Sequence, residues 1–160
     1  MIELYILLAE TDRVEAELLE KDISANLDQP IDGVKITVNI VTTLAEVREF
    51  APKSNVILID LILDDAGPEE VMAAIPELPE PVIVITDIID PLVHAKCKLA
   101  GAFVLIKSCP RNSKIYTIIH CLGKSETNRL AIPAIVDVKE LVCNGEVYTG
   151  VLHSVSEPTS

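Results

Sequence analysis

The stretch Val56-Ile57-Leu58-Ile59-Asp60-Leu61-Ile62-Leu63 decides the reading of this chain. Seven apolar residues surround one carboxylate. A short continuous apolar run reads as a strand covered on both faces, and such strands belong to parallel sheets. An acid inside it is costly unless something uses it. The run therefore predicts a buried strand over Val56 to Leu63 and marks Asp60 as a functional residue. The competing reading is an Asp60 that ends its strand and pairs with Lys107.

The same rhythm extends to both sides. Tyr5 to Ala9 is a short apolar strand, Val34 to Val41 alternates apolar and polar residues, and Pro81 to Thr86 and Ala102 to Ile106 are apolar again. Amphipathic stretches separate them. Asp12 to about Ala25 places Val14, Leu18, Leu19 and Ile23 on one helical stripe. Leu44 to Phe50 follows a Thr42 or Thr43 cap, with Glu46 three residues beyond Thr43 as in a capping box. Glu69 to Ile75 and Pro91 to Ala100 are two more helices, the second stopped by Gly101. Ile115, Ile118, Ile119 and Leu122 mark a fifth, capped by Asn112 or Ser113 and ended at Gly123. Five strands alternating with five helices give an α/β fold: a doubly wound five-stranded parallel sheet with helices on both faces. Ligands of such sheets bind at the carboxyl ends of the strands, at the topological switch point.

The remaining residues differ. Ser125 to Arg129 is polar, and Ile132 to Val142 and Val147 to Val155 are β-rich runs around Asn144-Gly145, a hairpin signal. The expected organisation is a domain over 1–123, a linker over 124–131, a C-terminal β-hairpin over 132–156 and a frayed end over 157–160.

Composition bounds the partners. The 160 residues include 13 Lys and Arg against 25 Asp and Glu, a net charge of −12, and 3% aromatics. That surface repels phosphate backbones and anionic lipid, so no nucleic acid and no membrane partner is expected. No apolar run reaches the roughly 20 residues of a spanning helix, and the apolar start lacks a basic segment, so the expected location is cytoplasmic. Cys97, Cys109, Cys121 and Cys143 form no C-x-x-C pair and read as reduced thiols. His94, His120 and His153 are scattered and read as ordinary, satisfied residues. The acids at Asp64-Asp65 and Glu69-Glu70 read as a solvated loop and helix start.

The strand ends carry the chemistry. Strand one runs into Glu10-Thr11-Asp12, strand four ends at Thr86-Asp87, and strand five ends at Lys107-Ser108. With Asp60, the fold places carboxylates, a hydroxyl and an ammonium in one crevice. Acids around one Asp suit a hard divalent cation such as Mg²⁺. A lysine and a hydroxyl supply donors to a phosphoryl group, and Asp60 is then a nucleophile.

In these motifs residues 1 to about 123 resemble a receiver domain of the two-component response-regulator family. Asp60-Leu61-Ile62-Leu63 resembles the phosphoacceptor strand end, and Glu70-Val71 falls where the next helix begins. Val82-Ile83-Val84-Ile85-Thr86 resembles the strand ending in the switch hydroxyl, and Gly101-Ala102 with Lys107 resembles the approach to the family's lysine. The resemblance implies the flavodoxin-like receiver fold, with Asp60 as phosphoacceptor assisted by Thr86 and Lys107. It implies Mg²⁺ on Glu10, Asp60 and the backbone carbonyl of Ile62, and a histidine kinase or phosphotransfer protein as partner. It departs at Thr11, where the family has a second metal-binding acid, so Thr11 is a doubtful ligand and Mg²⁺ should bind weakly. Asp87 replaces a small residue, Leu105 replaces the aromatic switch residue, and Ser108 replaces a proline, so the peptide before it should be trans. The family's glycine after the acceptor aligns with Pro68, beside Gly67.

Ile132-Pro133-Ala134 to Val138, Asn144-Gly145-Glu146, Tyr148-Thr149-Gly150-Val151 and Ser154-Val155-Ser156-Glu157 resemble the last strands of a PAS sensor domain. A lone hairpin is marginal in water, so it must pack on the domain, on a second copy or on another protein, and a homodimer is the expectation. The expected function is a non-enzymatic signalling receiver acting through protein contacts. The alternative is a pseudo-receiver, a dimerisation or docking module independent of phosphorylation. An enzyme fits less well. A haloacid-dehalogenase-like phosphatase needs a second Asp where this chain has Ile62, and a flavodoxin needs a phosphate loop where it has Glu10-Thr11-Asp12-Arg13.

Overall fold

The computed structural model describes residues 2–27 and 34–124. Five strands, β1 (Ile2–Ala9), β2 (Val34–Val41), β3 (Val56–Ile59), β4 (Val82–Thr86) and β5 (Phe103–Ile106), alternate with five helices. These are α1 (Arg13–Leu27), α2 (Leu44–Phe50), α3 (Pro68–Ala74), α4 (Pro91–Leu99) and α5 (Arg111–Lys124). The sheet is wholly parallel in the order β2-β1-β3-β4-β5. The chain reverses direction across the sheet between β1 and β3. Right-handed crossovers then place α1 on one face and α3 and α4 on the other. Helix α5 packs beside α1.

The β3 and β4 residues are buried throughout, as the apolar runs require. Ile57, Leu58, Ile59 and Ile83 are fully enclosed, and each contributes about 1.5–3 kcal/mol of burial. The edge strand β2 keeps its alternation, with Ile36 buried and Lys35, Thr37 and Asn39 exposed. The predicted limits of β2 and α2 coincide with the observed ones. The α2 amino terminus is closed more fully than a capping box alone would do. Thr43 Oγ1 accepts from Glu46 N–H at 3.1 Å. The Asp65 carboxylate accepts from Leu44 and Ala45 N–H at 2.6 and 3.1 Å. Those bonds hold the Asp65 carboxyl below its ordinary range. The acidic loop thus works as a helix cap, with Asp64 exposed beside it.

Four expectations change. Strand β1 starts at Ile2, three residues before Tyr5, because all eight of its residues pair with β2. Strand β3 stops at Ile59 and not at Leu63. Leu61 and Leu63 are buried in a loop folded back on itself, closed by a bridge between Leu63 and Ala66 and tied to Thr42 by Asp64 N–H at 3.0 Å. Helix α1 keeps half of the expected stripe: Ile23 is buried and Leu19 packs against the core, whereas Val14 and Leu18 are 67% and 57% exposed and Ala16 is buried in their place. The small Ala16 lets the helix lie close to the sheet and rotates the larger residues outward. Helix α5 begins at Arg111 and runs through Gly123, so neither Asn112 nor Ser113 caps it. Lys124 is still helical, and the rest of the linker, the hairpin over 132–156 and the end over 157–160 lie outside the described residues.

Candidate functional site at the carboxyl edge of the sheet

Three site residues occupy the same structural position: each is the first residue after its strand. The N–H of Glu10 bonds Val41 O at 3.0 Å, that of Asp60 bonds Ala9 O at 3.0 Å, and that of Lys107 bonds Thr86 O at 2.9 Å. Each backbone is fixed by the last carbonyl of the neighbouring strand, so strand register alone aligns the row. Thr86 is the final residue of β4.

The side chains converge from there. Strands β3 and β5 lie two spacings apart, about 9.5 Å, and the long Lys107 side chain spans that distance. Its Nζ donates to Asp60 Oδ2 at 2.8 Å and lies 2.7 Å from Glu10 Oε1. Glu15 Oε2 stands 3.2 Å away and Asp87 Oδ2 4.0 Å away. The Glu10, Asp60 and Lys107 side chains are all nearly buried, while that of Asp87 is 77% exposed. Asp60 Oδ1 also accepts from Ile62 N–H at 3.4 Å, and Glu10 Oε2 from Asp12 N–H at 3.2 Å.

One ammonium thus faces several carboxylates. Burial pushes the Glu10 carboxyl up to about 7, against the pull of its hydrogen bonds from Lys107 and the Asp12 N–H, and the Asp60 charge adds to the rise. Burial works against the Lys107 charge too, but the hydrogen bonds and charges of Asp60 and Glu10 outweigh it and hold the amine above its ordinary range.

Thr86 is buried, and its Oγ1 accepts from Ile88 N–H at 3.0 Å. The carbonyl of Ile88 lies 2.6 Å from His94 Nε2, so the β4–α4 loop is tied to both the site and α4. His94 is the satisfied histidine the sequence suggests. Leu105, at the aromatic switch position, is fully buried. Ser108 is exposed, and the peptide before it is trans; the cis peptide among the described residues joins Glu80 to Pro81.

The proposed cation ligands are partly assembled. Glu10 and Asp60 meet on Lys107, whereas Thr11 is exposed. Asp12, one step further, caps α1 by accepting from Val14 and Glu15 N–H at 3.0 and 3.2 Å. Among the described residues no three acidic, His or Cys groups form a metal cluster. The two carboxylates that the structure brings together suit a cation that retains several waters, as Mg²⁺ does. Burial is the main cause of the Glu10 rise and the Asp60 charge adds to it; a cation would neutralise the second part.

Glu15 is the residue sequence reasoning missed. Its visible signal was its place in the first turn of α1, which hangs over the carboxyl edge of β1. A cavity of about 230 Å³ opens beside it, reaching from Asp60 and Lys107 to Asp22 and Lys114 between α1 and α5.

No protein-family description matches the chain, and no curated protein does. Solved structures do. The signal receiver domain of NarL from Mycobacterium tuberculosis is 17% identical with a TM-score of 0.62, covering 78% of this chain and 100% of that one. The phosphorylated cyanobacterial phytochrome response regulator RcpA is 18% identical with a TM-score of 0.57, covering 82% of this chain and 99% of that one. The Mn²⁺-bound form of the response regulator Rcp1 is 21% identical with a TM-score of 0.52, covering 64% and 78%. Taken with the strand order and the row of strand-end side chains, these likenesses give the chain the fold of the response-regulator receiver domain.

Proposed function

We propose that the chain is a two-component receiver that accepts a phosphoryl group on Asp60 from a histidine kinase or phosphotransfer protein. The observation that carries this reading is the 2.8 Å contact between Asp60 and Lys107, made by two buried side chains that approach across β4. A strand-end acid that only needed a partner could take one from an adjacent strand. An Asp60 oxygen attacks phosphorus, the bond from phosphorus to the donor's imidazole nitrogen breaks, and its electron pair returns to the imidazole. Lys107 turns from Asp60 towards the phosphoryl oxygens. The Thr86 hydroxyl, which spends a lone pair on Ile88 N–H, donates a hydrogen bond to one of them. Mg²⁺, when bound at Glu10, Asp60 and the Ile62 carbonyl, supplies positive charge against the incoming oxygens; the Mn²⁺-bound form of Rcp1 supports a divalent ion on this fold. Movement of Thr86 breaks its bond to Ile88 and so loosens the link through His94 to α4.

The chain acts as a signalling module and not as an enzyme, in the cytoplasm, with no nucleic acid or membrane partner. It works as a homodimer, with residues 132–156 as the self-association segment. Incubation with acetyl phosphate and Mg²⁺, read by intact mass, should give one phosphoryl adduct that Asp60→Asn abolishes. An adduct that survives the substitution, or none with any donor, refutes the reading.

The pseudo-receiver reading has its own support. Glu15 and Asp87 add two carboxylates to Lys107 beyond the Glu10 and Asp60 pair, and Thr11 removes a metal ligand. The added carboxylates repel a phosphate donor, and the missing ligand weakens the cation that would shield it. Self-association unchanged by Asp60→Asn, together with a missing adduct, favours this alternative.

A further inference from the structure

Helix α2 has seven residues, about 10 Å of helix. It packs on strands of eight residues, about 26 Å long. It therefore cannot cover the whole of its face of β1 and β2, and the uncovered corner is a cleft of about 360 Å³. Tyr5 and Ile6 of β1, Asn39 of β2, and Phe50, Lys53 and Ser54 at the end of α2 line it. The volume lies within the range of small-molecule sites, which the cavity at Asp60 does not reach.

The cleft is built and not merely left over. Asn55 clamps Tyr5 from both sides: Tyr5 N–H donates to Asn55 Oδ1 at 2.8 Å, and Asn55 N–H to Tyr5 O at 2.7 Å. Tyr5 gives its phenol proton to Glu3 at 2.8 Å, and Ser54 gives its hydroxyl proton to Phe50 O at 2.9 Å. Those polar groups are spent, so Tyr5 offers the cleft its ring. Tyr5 as a residue is 41% exposed, beside the half-buried Phe50. Two groups remain uncommitted. Among the described residues, the Lys53 ammonium makes no ion pair and the Asn39 amide no side-chain hydrogen bond.

We propose that this cleft binds a planar aromatic ring carrying one anionic group. The ring lies against Tyr5 and Phe50, the anion meets Lys53, and Asn39 donates to the same group. Glu3 is the nearby opposing charge, and its hydrogen bond to Tyr5 keeps it at the rim. The cleft lies on the α2 face, towards the amino ends of the strands, away from the phosphoacceptor row. Occupancy would stiffen the β1–α2 contact without touching Asp60.

The test is a ¹H–¹⁵N titration of the full chain with 1-naphthoate at physiological salt. Saturable shifts are expected at Tyr5, the Asn39 side-chain amide, Lys53 and Ser54. Lys53→Gln, a change at an exposed side chain, should weaken binding about three- to fivefold, as loss of one surface ion pair does. The uncharged 1-naphthalenemethanol should bind correspondingly weaker than 1-naphthoate, and acetate should give no saturable shift there. Asp60→Asn should leave 1-naphthoate binding unchanged. Non-saturating shifts, shifts centred on Asp60 and Lys107, or equal binding by Lys53→Gln and wild type overturn the proposal.

Discussion

The burial of Glu10 beside Lys107 has a measurable pH signature. Burial raises the Glu10 carboxyl from 4.5 to about 7, so the folded protein holds this proton more tightly than the unfolded chain does. Between those two values the native state binds more protons, and stability must fall as pH rises. Below 4.5 both states are protonated at Glu10, and above 7 both are ionised, so the slope is confined to that window. A tenfold change in proton affinity is worth about 1.4 kcal/mol, so the whole window is worth about 3 kcal/mol. Lys107 stays charged throughout and adds no slope. In Glu10→Gln the side chain cannot ionise, and Lys107 keeps Asp60 and Glu15 as partners. The variant should lose this part of the pH slope and be about 1–3 kcal/mol more stable than wild type at pH 8. Urea unfolding of both proteins from pH 4.5 to 8, with EDTA to exclude cations, measures the difference. The histidines are common to both proteins, so any slope they add cancels in the comparison. Parallel profiles, or a Glu10→Gln less stable at pH 8, refute the reasoning.

Further outcomes follow from the same site and fold. Lys107→Met leaves Glu10 and Asp60 buried without their cation and removes the bond that holds the Glu10 carboxyl down, so it should cost about 3–5 kcal/mol at pH 8 by urea unfolding, with partial recovery as the pH falls towards 7 and Glu10 protonates. Thr11→Asp should tighten Mg²⁺ binding in a calorimetric titration; equal affinity would show that Thr11 is not the weak point. Thr43→Ala should lower stability by about 1 kcal/mol in a thermal melt, because Asp65 still covers Leu44 and Ala45 N–H. The full chain should scatter light as a dimer and a chain ending near Lys124 as a monomer; equal association by both removes residues 125–160 from that role.

Strands were legible where one residue type filled a run. Val56 to Ile59 and Val82 to Ile85 are covered on both faces and need only to be apolar. The end of β3 was not legible, because Leu61 and Leu63 are as buried in a loop as they would be in a strand. The inward face of α1 was legible at Leu19 and Ile23 and misread at Val14 and Leu18, because hydrophobicity favours those two whereas packing on the sheet favours Ala16. The site was legible as far as strand ends reveal it: Asp60, Thr86 and Lys107 each close an apolar run. Glu15 was hidden, since its approach to Lys107 depends on how α1 leans over the edge, and no spacing in the sequence encodes that angle.

The row formed by Glu10, Asp60 and Lys107 bears on which changes of length the gene can tolerate. Each residue is held by a backbone bond to the next strand, and side chains alternate faces along a strand. A single codon inserted between Val56 and Ile59 would either slip that pairing or force a bulge. A slip would carry Asp60 past Ala9 and turn its carboxylate to the opposite face of the sheet. A two-codon insertion would restore the face but lift the acid about 6.6 Å beyond Lys107. Inserted residues in the loops at the amino ends of the strands leave the row untouched. Insertional scanning should therefore divide the domain by sheet edge, with tolerance at the amino side and loss of phosphoryl acceptance within the strands.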